Sequence, residues 1–225
     1  FDTSKLHSAV SYVLDHATDI GEVITAAPSL HQMTAEFQGV EAHAGLVPEA
    51  GRSAIAVAAR AIDSMELGRL DDGTTANVGM IEGGTSTNVI PGSCRIHGEA
   101  RAVEPGRVAE VIAAMSDACV WAASEAGCEV DIVTREVFRG YRLPEDSPAL
   151  TIAELALKDQ GIEPKRVATG GGSDANVFIK AGFDSVLLAN GTYGNHTSSE
   201  SVPQANLGTM LEVCEAILVE AAKRC

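Results

Sequence analysis

Apolar and polar residues change period several times along the chain, and each period implies an element. Val10-Ser11-Tyr12-Val13-Leu14 reads as a short strand ending at Asp15, and Glu22 to Ala26 as another, closed by Pro28. The run from Met33 to Val40 alternates with the period of a half-buried strand. After a loop from Ala44 to Ala50, the stretch Ser53 to Leu67 places Ile55, Ala59, Ile62 and Met65 at helical spacing. Thr75 to Ile81 and Ser93 to Val103 alternate again. Pro105 then sits where a helix start tolerates proline, and Val108, Ile112, Met115 and Cys119 continue one apolar face as far as Ala126. Gly127 is a natural helix stop, and Glu129 to Phe138 alternates once more.

Residues 33–139 therefore read β-α-β-β-α-β, the order of the ferredoxin-like split βαβ, with a four-stranded antiparallel sheet and two helices on one face. The remainder has a different rhythm. Ser147-Pro148 opens a helix to Gln160, Lys165 to Ala168 is a short strand, and Gly170-Gly171-Gly172-Ser173-Asp174 leads into a helix ending at Ala181. Ser185 to Ala189 is a strand without polar interruption after Ser185, as in a sheet covered on both faces, and Pro203 opens a last helix to Lys223. The predicted fold class is α/β: a mixed, mostly parallel sheet with helices on both faces, interrupted by the ferredoxin-like insert. The corresponding segments are 1–30 and 143–225 for the α/β part and 31–142 for the insert.

Composition narrows the function. Among 225 residues, 31 acidic side chains face 16 Lys and Arg, a formal charge of −15, while 45% of residues are hydrophobic. Such a chain can bury a core, but it has no basic stripe for nucleic acid and none for an anionic membrane surface. No apolar run approaches the ~20 residues that span a bilayer. Five cysteines without a CxxC spacing read as free thiols of a reducing cytoplasm.

Chemistry-bearing residues are few. His196 lies in the polar loop Asn190 to Ser201, just past the carboxyl end of the apolar strand, where open α/β sheets bind ligands. Held by a carboxylate such as Glu200, it suits a metal ligand or a general base. Asp15 ends another strand and reads either as an oxygen ligand or as a turn residue. On the insert, Asn88 and Arg101 offer an amide donor and a bidentate partner for a carboxylate, or a turn former and a solvated strand residue. His43 lies where the first insert strand runs into a loop. His7, His31 and His97 read as surface or satisfied core residues. The glycine run before Asp174 lacks the Lys-Ser/Thr of a P-loop. It reads instead as a turn that lets backbone approach a bound peptide or organises the His196 loop.

Taken in order, the segments VSYVLDHATDIGEVITAAP, EFQGVEAHAGLVPEAGRSAI, GGTSTNVIPGSCRIHGEARA, GGGSDANVF and YGNHTSSESV resemble the co-catalytic dizinc exopeptidases of the peptidase T, carboxypeptidase G and acetylornithine deacetylase type, with peptidase T-like members nearest. The resemblance implies two Zn²⁺ per complete active site, with Asp15 ligating one and His196 the other. It implies that His43, in dimeric members, reaches into the partner's site and stabilises the oxyanion. Asn88 and Arg101 would hold the terminal carboxylate of a short peptide, and Ser173 and Asp174 would border the cleft. The insert would be a lid through which the protein forms a homodimer. The same resemblance admits an N-acyl amino acid deacylase or desuccinylase. The family's His-x-Asp motif and Glu-Glu pair do not occur in this sequence. The 225 residues are therefore expected to be inactive alone, a dimerising piece of a larger zinc hydrolase that lacks the amino-terminal part of its catalytic domain.

Overall fold

The computed structural model describes residues 5–224, which divide into two compact units. One runs to Pro28 and resumes at Arg139; the other is Ser29–Phe138. In chain order, β1 (Val10–His16) and β2 (Glu22–Ala27) belong to the first unit. The insert contains β3 (Ser29–Gln38), β4 (Ala42–His43), α1 (Ala54–Asp63), β5 (Gly68–Asp71), β6 (Thr74–Gly83), β7 (Val89–Ile90), β8 (Ser93–Ala102), α2 (Arg107–Glu125) and β9 (Glu129–Phe138). The first unit then resumes with β10 (Tyr141–Arg142), α3 (Pro148–Asp159), β11 (Lys165–Ala168), α4 (Asp174–Lys180), β12 (Asp184–Ala189) and α5 (Gln204–Ala222).

The insert sheet has the order β5-β6-β8-β3-β9 with every pairing antiparallel, so its four long strands follow the ferredoxin-like order. Alternation in β3 sends Met33, Ala35 and Phe37 to one face, where they meet Val57 and Ala61 of α1 and Met115 and Cys119 of α2. The opposite face is polar. Thr34 shares a 3.0 Å hydrogen bond with His97, Arg95 donates to Glu36 at 2.9 Å, and Arg135 to Gln32 at 2.8 Å. Three features depart from the periodicity. The face α1 buries is Ala54, Val57, Ala58 and Ala61, while Ile55 and Ala59, placed on its apolar face from the sequence, are exposed because the face toward the sheet is lined by the smaller side chains. The predicted helix to Leu67 stops at Asp63, because Ser64 caps it and Gly68, at φ +88°, turns the chain into β5. β5 itself is too short to show a period.

In the other unit the sheet runs β1-β12-β2-β10, with β11 also on β2. It is mixed: β1/β12 and β2/β11 are parallel, β12/β2 and β10/β2 antiparallel. Helices cover both faces. Val23, Val186 and Leu188 pack under α3 and α5, whereas Ile24 and Leu187 face Ala175 and Ile179 of α4. That two-sided burial is why β12 has no polar residue after Ser185. The unit boundaries fall at 28/29 and 138/139 rather than 30/31 and 142/143. Ser29 and Leu30 already pair with Ala102 and Arg101, and Tyr141 and Arg142 pair with Ala27 and Ala26. β1 pairs with β12 alone among the described strands, so its outer edge is open and Leu14 is exposed. Among the described residues, no helix is long and apolar enough to cross a membrane.

Candidate functional site

The parallel pair β1/β12 positions the first cluster. Its register runs evenly from Val10 opposite Asp184 to Leu14 opposite Leu188, then shifts, so that His16 faces Ala189. The shift takes Asp15 out of the ladder at the carboxyl end of β1, where its side chain is exposed. The loop after β12 is stitched to the same edge. Asn190 donates its backbone N–H to the His16 carbonyl at 3.0 Å and its side-chain amide to the Leu14 carbonyl at 3.1 Å. Gly191 N–H bonds the Thr18 carbonyl at 3.0 Å, and Tyr193 Oη donates to Asp19 Oδ1 at 2.7 Å. That bond holds the Tyr193 hydroxyl above its usual pKa range.

Paired backbone bonds between Tyr193 and Ser201 close the base of the loop that carries His196. A turn from Gly194 to Thr197 places His196 at φ +64°, a left-handed conformation that non-glycine residues adopt at a cost of ~1–2 kcal/mol. Glu200 accepts from the backbone N–H of His196 at 3.2 Å, so it holds the main chain rather than the imidazole foreseen from sequence. Beside it, Asn195 Oδ1 is buried without a hydrogen-bond partner. Burial pushes the His16 imidazole below the usual histidine range, against the opposing pull of Glu22 and Asp15. Asp15 and the His196 loop thus share one sheet edge. The residues that tie them there, Asp19, Asn190 and Tyr193, have no sequence signature beyond polarity in a loop.

Ser173 and Asp174 have a plainer setting. Ser173 Oγ accepts from Ala175 N–H at 3.2 Å while Asn176 Oδ1 accepts from Ser173 N–H at 3.0 Å, a reciprocal cap that starts α4. Asp174 is the exposed first helical residue. Replacing Ser173 by alanine is expected to cost ~1 kcal/mol of stability in urea denaturation followed by far-UV circular dichroism.

On the insert, the two-residue strands β4 and β7 form a separate ribbon in which His43 faces Val89. Ala44 N–H donates to the Asn88 carbonyl at 2.9 Å, so His43 and Asn88, 45 positions apart, become neighbours. Gly45 N–H donates to His43 Nδ1 at 3.2 Å. A neutral imidazole that accepts at Nδ1 has its proton on Nε2, which makes exposed His43 an outward N–H donor. Ser86 Oγ donates to Asn88 Oδ1 at 2.7 Å, leaving the Asn88 amino group as a second donor on the same ribbon.

Arg101 lies elsewhere. It is half-buried near the far end of β8, between Leu30 of β3 and Thr75 of β6, and donates through Nε to Glu99 at 2.9 Å. The ribbon adjoins the opposite end of β8, where Gly39 N–H bonds the Gly92 carbonyl. Eight residues of strand separate Ser93 from Arg101, or ~26 Å at ~3.3 Å per residue. The insert therefore brings His43 and Asn88 together and holds Arg101 well away from both.

Residues 25–126 match the family model described as a peptidase dimerisation domain, of M20 type. The chain is 36% identical over 222 residues to the uncharacterized protein YqjE of Bacillus subtilis, covering 99% of this chain and 60% of that protein. Among solved structures it is similar to aminopeptidase PepT from Bacillus cereus, with 36% identity and a TM-score of 0.89. It is also similar to a tripeptidase from Staphylococcus aureus, with 30% identity and a TM-score of 0.93. Each match covers 99% of this chain and 60% of the other. The chain thus spans about three fifths of the length of these relatives.

Proposed function

The chain belongs to the M20 peptidase family, among its peptidase T-like members, and from that premise we propose that the full protein hydrolyses peptide bonds in short peptides. The observation that carries the reading is the shared edge: the His196 loop, far from Asp15 in sequence, is hydrogen-bonded through Asn190 to Leu14 and His16, the two neighbours of Asp15 at the end of the β1/β12 pair.

The two zinc ions implied by the resemblance meet an incomplete set of donors. Among the described residues, no group of three or more His, Cys, Asp or Glu side chains is arranged to hold a metal, whereas a catalytic zinc takes roughly three protein ligands. The buried, unpartnered Asn195 oxygen adds an acceptor but not a typical zinc donor. The described residues do not make a zinc site on their own, and a metal-dependent activity would require donors beyond the described residues.

What this chain contributes is hydrogen-bond donation and charge. His43 Nε2–H and the Asn88 amino group would stabilise the oxyanion that develops at a scissile carbonyl, since donors fixed in advance act without reorganisation. Arg101 would hold the free carboxylate of the peptide, exchanging its bond to Glu99 for a bidentate one. Because the insert keeps these groups at opposite ends of β8, one active site would draw the His43/Asn88 pair and Arg101 from different subunits of a homodimer. Two observations support such an assembly. Residues 25–126 match a dimerisation domain, and beyond Ala76 the outer edge of β6 has no partner strand among the described residues, with Met80 and Ile81 exposed. The four described cysteines are all free, which supports a cytoplasmic setting.

Assaying the full protein with added Zn²⁺ on a tripeptide panel and on N-acetyl amino acids tests the reading. Cleavage of tripeptides well above N-acetyl amino acids is expected, with the 225-residue chain inactive on both. The reverse preference would replace the peptidase reading with a deacylase.

A further inference from the structure

Four arginines of the insert have no carboxylate partner among the described residues, although the chain has 31 acidic residues for 16 Lys and Arg; Arg69 donates to the Asp72 carbonyl and Arg135 to Gln32, which leaves Arg52 and Arg60. Arg95, Arg101, Arg107, Arg166 and Arg224 are each paired with an acidic side chain. Arg52 and Arg60 have neither an ion-pair nor a side-chain hydrogen-bond partner among the described residues, and both line the same cavity of about 230 Å³ between α1 and α2. In so acidic a chain, leaving two guanidinium groups unpaired around one cavity is a specific arrangement.

The local structure fixes the cavity. Arg52 is held at its backbone by two 2.9 Å bonds to Val40, and Ser53 caps α1 by accepting from Ala56 N–H at 3.2 Å. From that cap, Ala56, Val57 and Arg60 follow at helical spacing, so they share the face that begins at Ser53. The floor is apolar and small: Val57 of α1, with Ala122 and Ala126 from the end of α2. A cationic rim over an aliphatic floor suits a compact organic anion with a short hydrocarbon body.

We propose that this cavity binds a small aliphatic carboxylate, with the carboxylate held between Arg52 and Arg60 and the hydrocarbon on Val57, Ala122 and Ala126. The site lies wholly within the insert and does not rest on the peptidase reading. Exposed guanidinium groups bind weakly, and the charge of −15 opposes any anion, so a dissociation constant on the order of 1–10 mM is expected for propionate.

The test is an NMR titration of the 225-residue chain with sodium propionate, reading the side-chain Nε–H signals of Arg52 and Arg60 and the methyl groups of Ala122 and Ala126. Saturable shifts at all four are expected, with none from neutral propionamide and about tenfold weaker binding in Arg60→Gln and in Arg52→Gln. Retention of the far-UV circular dichroism spectrum shows that both exposed-site variants fold. Absence of saturable shifts would overturn the proposal. So would shifts with inorganic phosphate but not propionate, which would make the site one for phosphate. Shifts that follow protein concentration alone would overturn it as well, since the carboxylate would then come from a second copy of the chain.

Discussion

Replacing Phe37 by alanine is expected to destabilise the insert by ~3–5 kcal/mol, the largest stability effect in the chain from a single truncation. Phe37 is 0% exposed and sits on the central strand β3, between Cys94 of β8 and Val130 of β9. It belongs to the buried cluster that also holds Met33, Ile96, Met115 and Cys119. Neighbours on both adjacent strands and the helices above cannot collapse into a void of that size without breaking ladder bonds, so most of the cavity would persist. Typical domains have only ~5–15 kcal/mol to lose, so the insert of the variant would be close to unfolded at 37 °C. The chain's one tryptophan, Trp121, lies on α2 and is 48% exposed, which makes its fluorescence a reporter for the insert. The Trp121-detected urea midpoint should fall steeply. A loss under about 1 kcal/mol would mean that the Phe37 site refills on truncation.

How much of this was legible in the sequence depends on length scale. Elements with several periods could be read in part: the alternation of β3 and β8, the apolar face of α2 and the unbroken Val186 to Ala189 correspond to observed burial, whereas β6 is exposed from Gly79 on, β9 is exposed from Val133 to Val137, and α1 buries Ala54, Val57, Ala58 and Ala61 rather than the face of Ile55 and Ala59. Elements of two to four residues could not, because β4, β5, β7 and β10 are shorter than one informative window. The same rule governs the site. Asp15, at the end of an apolar strand, and His196, in the polar loop that follows another, stand out, but the bonds from Asn190 and Tyr193 that place their segments on one edge join residues 174 to 176 positions apart. His43 and Asn88 are joined through a two-residue ribbon that has no signature. Conversely, Asn88 and Arg101 look like a pair because 13 positions separate them, yet an extended strand spends most of those positions on distance. Gly39 shows how a local choice supports a remote contact: a Cβ there would lie 2.1 Å from the Arg52 carbonyl oxygen, so only glycine lets β3 end against the segment that leads into α1.

Mixing two inactive variants of the full protein is expected to restore activity. His43→Ala removes the Nε2–H donor, and loss of one oxyanion donor costs ~10²–10³-fold in kcat. Arg101→Ala would remove the proposed carboxylate grip, and the loss should be large for free peptides and small for C-terminally amidated ones. If each site takes His43 and Asn88 from one subunit and Arg101 from the other, a heterodimer of the two variants has one site with both groups intact and one with neither. Random exchange of subunits makes about half of the dimers mixed, so about a quarter of wild-type activity should return. Along β8, Ser93 beside the ribbon and Arg101 lie ~26 Å apart, and a tripeptide spans only ~10 Å when extended, so a single insert is not expected to present both groups to one small substrate. Subunits mixed under conditions that allow exchange, then assayed against each variant alone, provide the readout, with Asn88→Ala replacing His43→Ala as a second donor variant. Activity that stays at the sum of the two separate variants, in a mixture shown by native mass spectrometry to contain heterodimers, would place both groups in one subunit's site and refute the shared arrangement.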